Sequence, residues 1–207
     1  GLTSGEYQLQ IRLRQVDEKP GSIVQYADIR YATNGIEVNG LPGHSPLLAD
    51  ASETTANNNA FGGAQQLGNL LQTDRNTLSV GGSLSSAADV DFYDFNVDYA
   101  TTVYGPSIQA IGGVNGGPKT WTTVFDLDYA DGLTRADTNL VVWQSVGGQR
   151  VPVLIGRESN IAADQPRAGQ GIDLDDLSRG SAGQLDPFIG PVQLPAGTPG
   201  STTTYSV

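Results

Sequence analysis

Residues 6–14, Glu-Tyr-Gln-Leu-Gln-Ile-Arg-Leu-Arg, alternate strictly, with Tyr7, Leu9, Ile11 and Leu13 on one side and Gln8, Gln10, Arg12 and Arg14 on the other. A period of two belongs to a strand with one face on a core and the other in solvent, so the chain is expected to open on a half-buried strand. Asp17-Glu18-Lys19-Pro20-Gly21-Ser22 ends that strand. Two short β-prone runs follow, Ile23 to Tyr31 and Gly35 to Val38, and then the stretch Gly40-Leu41-Pro42-Gly43-His44-Ser45-Pro46. Proline and glycine at this density predict an extended linker over 15–50 with little sheet of its own. Beyond it, β-prone runs recur at 77–84, 91–98, 121–129, 138–145, 150–155, 188–194 and 203–207. One short helix is expected near 59–71, where Ala60, Ala64, Leu67 and Leu71 share helical spacing, although Gly62-Gly63 weakens it. Short strands between turn-rich segments predict an all-β fold, a sandwich or barrel rather than a parallel α/β sheet. Two long polar or glycine-rich loops interrupt it, 105–118 and 157–186, the second carrying Asp164, Asp173, Asp175, Asp176 and Asp186.

Composition agrees with that reading. In 207 residues there are 27 Gly and 11 Pro, the punctuation of many turns. The formal net charge of −11 argues against nucleic acid, which requires clustered Lys and Arg, and no such cluster occurs along the chain. No Cys is present, so any staple must be packing, hydrogen bonding or an oxygen-ligated ion. No run approaches the roughly 20 apolar residues of a membrane-spanning helix, and no secretory signal opens the chain. The absence of Met and the start at Gly1 fit a processed form or an excised piece.

The inventory for catalysis is poor. His44 is the sole histidine and lies in a Gly-Pro loop beside Ser45, whose side chain diverges from it. There is no Gly-x-Ser-x-Gly elbow and no phosphate loop ending in Lys-Ser or Lys-Thr. Carboxylates abound, but nothing raises one pair above the rest as a glycosidase pair. Asp126-Leu127-Asp128-Tyr129-Ala130-Asp131-Gly132 fails as an EF-hand, which needs an oxygen ligand at its fifth position and Gly at its sixth. Alternation of Phe125, Leu127 and Tyr129 against Asp126 and Asp128 instead predicts a strand with one wet face. Trp121 and Trp143, each in a β-prone run, are expected in the core or between sheets. No enzymatic activity is expected.

In Asp89-Val90-Asp91-Phe92-Tyr93-Asp94-Phe95, strand alternation places Asp89 and Asp91 on one side and Phe92 opposite Tyr93 and Phe95. Both carboxylates could reach a single ion there. Calcium wants six to eight oxygens, so Glu53 and Asn58 or Asn59 would have to join them. The other reading is that these side chains only cap turns and bond backbone.

Glu53, the run Asn57-Asn58-Asn59-Ala60-Phe61-Gly62-Gly63-Ala64-Gln65-Gln66-Leu67-Gly68, then Gly82-Ser83-Leu84 and Ala88-Asp89-Val90-Asp91-Phe92-Tyr93 together resemble the bacterial pre-peptidase C-terminal (PPC) domain family. Leu140-Val141-Val142-Trp143 with Gly147-Gly148, and Leu194-Pro195-Ala196-Gly197-Thr198, extend the resemblance over roughly 51–207. The family implies a jelly-roll-like antiparallel β-sandwich of secreted or cell-surface proteins. It also implies Glu53, Asn58, Asp89 and Asp91 as calcium ligands, although Asn59 stands where the family usually has Asp.

The family's last strand, a Gly-x-Tyr-x-Leu-x-Ile pattern, has no counterpart before Val207, yet Gly5-Glu6-Tyr7-Gln8-Leu9-Gln10-Ile11 matches it. The organisation expected is therefore a terminal strand (1–14), an extended linker (15–50) and a sandwich (51–207). Tyr7, Leu9, Ile11 and Leu13 of the terminal strand are expected to pair with another copy or a neighbouring repeat. Head-to-tail donation would build filaments or surface arrays. The functional expectation is an extracellular, non-catalytic structural or adhesive module whose partners are other copies of itself. The alternative is a targeting or substrate-binding appendage of a secreted hydrolase.

Overall fold

The computed structural model describes residues 4–13, 51–54, 58–73, 76–98, 119–128, 137–157, 185–197 and 201–207. The strands are β1 (Gly5–Leu13), β2 (Ala51–Ser52), β3 (Gln65–Asn69), β4 (Thr77–Leu84) and β5 (Tyr93–Asn96), then β6 (Lys119–Asp128), β7 (Leu140–Val146), β8 (Gln149–Gly156), β9 (Phe188–Gly197) and β10 (Thr204–Ser206). They form two five-stranded sheets, ordered β2-β4-β1-β6-β9 and β3-β5-β10-β7-β8. The expected all-β, sandwich-like class is what the chain adopts. The sheets are mixed rather than purely antiparallel, because β2 runs parallel to β4 and β3 parallel to β5.

Alternation explains the core. Tyr7, Leu9 and Ile11 of β1 are buried beside Leu78 and Val80 of β4 and Phe125 and Leu127 of β6, their partners or near neighbours in register. Tyr93, Phe95 and Val97, with Tyr205, Leu140 and Val142, form the facing layer from the second sheet. Phe95 bridges the layers, edge-on to Phe125 at 5.9 Å and stacked on Tyr205 at 5.5 Å. The β7–β8 hairpin turns on Gly147 and Gly148, with φ of 59° and 78°, the paired left-handed residues that match the twist of flanking strands.

Four expectations are corrected. First, β1 is not given to another copy. It lies in the middle of its own sheet, with Leu9 opposite Val80 on one side and Leu127 on the other. Both backbone edges are consumed, and the apolar face of Tyr7, Leu9 and Ile11, with Leu13 packed against it, closes the chain's own core. Second, the short helix at 59–71 is a single 3-10 turn, Phe61–Gly63, followed by β3. The glycine pair halts helical winding, and backbone pairing to β5 captures the residues after it. Third, β1 is not half wet: Gln10 and Arg12 are 3% and 1% exposed. Fourth, Asp126 of β6 is equally buried, at 1%. Ser79, Gln10 and Asp126 are cross-strand neighbours, so polar side chains form one buried row across the sheet, each flanked by another polar group rather than by water. The linker at 15–50, the loop at 105–118, most of 157–186 and His44 lie outside the described residues.

Candidate functional site

Local backbone bonds bring the predicted residues to one end of the sandwich. The Glu53 N–H donates to the Gly81 carbonyl at 2.8 Å, which extends the β2–β4 pairing by one step. The Phe92 N–H donates to the Asn58 carbonyl at 2.8 Å, so the segment around Asn58 is fastened to the start of β5. Strand alternation then does what the sequence implies. Tyr93 and Phe95 point into the core, while Phe92 faces the opposite way and packs on Phe61 at 4.3 Å.

The side chains converge on Asp91. Tyr7 donates its hydroxyl proton to Asp91 Oδ2 at 2.6 Å, and the Tyr93 oxygen lies 2.7 Å from that of Tyr7. A phenol has one proton, so Tyr93 must be the donor to Tyr7. Asn58 Nδ2 donates to Glu53 Oε1 at 3.1 Å, and the Asn58 side chain also bonds the Tyr93 hydroxyl. Glu53 Oε2 accepts from the Ser83 N–H at 2.8 Å, and the Glu53 and Asp91 carboxyls share a hydrogen bond when one of them is protonated and repel when both are charged. The chain Asn58 to Tyr93 to Tyr7 to Asp91 to Glu53 therefore closes on itself and ties Glu53 and Asn58 to β1, β5 and the end of β4.

Electrostatics follow from that crowding. Burial pushes the Asp91 carboxyl up to about 6, and the charges of Glu53 and Asp89 add to the rise, against the pull of the Tyr7 hydroxyl on the charged form. Burial also raises both tyrosines well above the usual phenol range. Asp89 differs: its oxygens accept from the Ser85 hydroxyl at 2.6 Å, the Ser85 N–H at 2.7 Å, the Val90 N–H at 3.1 Å and Asn59 Nδ2 at 3.3 Å. These donors hold its carboxyl below the ordinary range. Asp89 thus caps the 85–90 turn and lends Asp91 its charge.

Glu53, Asn58 and Asp91 meet in this network, whereas Asp89 is bonded within the 85–90 turn and reaches Asp91 only through its charge. Sequence reasoning missed Tyr7 and Tyr93, which link the carboxylates to the core. Among the described residues no group of three or more His, Asp or Glu side chains is set to hold a metal ion. The oxygen donors present are the Glu53 and Asp91 carboxylates and the Asn58 amide. The Asn58 residue is 2% exposed and its Oδ1 has no hydrogen-bond partner. Turning the Asn58 amide to present Oδ1 beside the two carboxylates would trade its bonds to Glu53 and Tyr93 for a place on a hard cation.

On the outer face of the second sheet a separate cluster is purely mutual. Arg150 of β8 grips Asp94 of β5 with two bonds, at 2.8 and 2.6 Å, and Gln66 and Ser206 complete the carboxylate's partners. Phe61 and Trp143 pack edge-on at 5.1 Å, and the Arg150 guanidinium lies over Phe61.

Comparison of the chain with protein-family models, with curated proteins and with solved structures gives no match.

Proposed function

We propose that this chain is an extracellular, non-catalytic structural or adhesive β-sandwich module of the PPC type, in which calcium held by the Asp91 cluster locks the end of the sandwich. The observation that carries the reading is the closed bond network through Asn58, Tyr93, Tyr7, Asp91 and Glu53. It spends its polar groups on tying separate chain segments together, which is the work of a scaffold. Glu53, Asn58 and Asp91 would hold the ion, and backbone or water oxygens would complete its shell. Calcium supplies charge neutralisation there, relieving the repulsion between Glu53 and Asp91. Donation of β1 between copies forms no part of the reading, since β1 is paired on both edges within its own chain.

The test is thermal unfolding of chelator-treated protein with and without calcium. An ion at 100 times its Kd stabilises by about 2.7 kcal/mol, which for a chain of this size is a rise of about 5–10 °C. Asp91→Asn should abolish the rise. An unchanged midpoint for the unsubstituted protein would overturn the calcium assignment.

A further inference from the structure

A cavity of about 280 Å³ opens between the two sheets beside the cluster. Leu9, Leu84 and Leu127 wall it from the first sheet, and Leu140, Val141 and Trp143 from the second. Asp89, Asp91 and the tyrosines Tyr7 and Tyr93 also line it. A space of this size sits at the lower edge of small-molecule sites and is built as they are, from apolar walls with a few convergent polar groups.

Charge decides what fits. The lining holds two aspartates and no Lys, Arg or His. Tyr7, Phe92, Tyr93 and Trp143 contribute to the lining, and aromatic ring faces attract cations. Thr138, also in the lining, is 4% exposed, and its hydroxyl has no hydrogen-bond partner. A buried hydroxyl without a partner is costly and favours a ligand that brings one.

We propose that this cavity binds a small organic cation, a primary ammonium carried on an apolar or aromatic body. The ammonium meets the Asp91 carboxylate and has two further protons, one of them for the Thr138 hydroxyl. The body fills the leucine-lined space. A carboxylate ligand would face Asp89 and Asp91 and be repelled, and a neutral alcohol would forgo the charge pairing. The inference does not depend on calcium.

The experiment is calorimetric titration of the full chain in chelator with three probes of one shape: 2-phenylethylammonium, 2-phenylethanol and phenylacetate. The expected result is saturable binding of the ammonium, at least tenfold weaker binding of the alcohol, and none of the carboxylate. Asp91→Asn should bring ammonium and alcohol to within about threefold of each other. Ala87→Trp, at an exposed position of the lining, should weaken the ammonium at least tenfold by blocking the mouth. No saturable binding of the ammonium, equal affinity for the alcohol in the unsubstituted protein, or an Ala87→Trp variant that binds as before would each overturn the proposal.

Discussion

Gly82 shows how one residue without a side chain makes room for the network. It lies opposite Tyr7 in the β1–β4 ladder, and a Cβ added there would sit 2.3 Å from the Tyr7 hydroxyl oxygen and 2.8 Å from that of Tyr93. Glycine inside a strand often marks such a close approach. Gly82→Ala should therefore cost about 1–3 kcal/mol by overpacking, read from urea unfolding midpoints. Tyr7→Phe should cost about 2 kcal/mol by removing the donor to Asp91. Because both act on one contact, the double variant should lose less than the sum, and strict additivity would mean that the contact is not shared. Asp91 sets a pH dependence of known sign. Its carboxyl binds a proton more tightly in the folded protein, near 6, than in the unfolded chain, near 4. Between these values the folded state holds the extra proton, so the group's contribution to stability falls as pH rises from about 4 to about 6 and then levels. Subtracting the pH profile of Asp91→Asn from that of the unsubstituted protein should expose this fall, and a flat difference would contradict it.

Strand β8 carries two opposite lessons. Its Arg150 is bound to Asp94, which is 4% exposed, so Arg150→Ala leaves a buried carboxylate short of its cation and should destabilise by on the order of 3 kcal/mol. An Asp94→Asn, Arg150→Gln pair should recover part of that loss; if it loses more than Arg150→Ala alone, the ion pair rather than its geometry matters. On the same strand Val151, Val153 and Ile155 are 44%, 42% and 59% exposed, and β8 is the last strand of its sheet. An apolar edge invites association. Val153→Lys should leave stability within about 0.5 kcal/mol and reduce self-association measured by light scattering at high concentration. Element boundaries were largely legible in the chain: the runs at 77–84, 138–145 and 150–155 agree with β4, β7 and β8 to within two residues. The helix at 59–71 was misread because Ala60, Ala64, Leu67 and Leu71 satisfy helical spacing by coincidence, whereas pairing to β5 is a tertiary fact that spacing does not encode.

At the scale of the whole molecule, the sequence indicated which residues gather but not through what. Asp89 and Asp91 are readable together from strand alternation, whereas Glu53 and Asn58 join them only through the family resemblance. Tyr7 is not readable, since it reaches Asp91 across 84 residues. The destination of the first strand was hidden for the same reason: alternation reports that Tyr7, Leu9 and Ile11 need a core without saying whose. That strand's position also sets the order in which the molecule can be made. Leu9 pairs with Val80 and with Leu127, at separations of 71 and 118 residues (80 − 9 and 127 − 9). Contacts so remote in sequence slow folding, because a long loop must close before any of them forms. As the chain emerges from the ribosome, β1 comes first and waits for β4, then for β6, with its apolar face uncovered. The centre of the finished sheet is thus made before the strands that cover it, and a holding factor that recognises Tyr7 to Leu13 would protect it until β4 and β6 arrive.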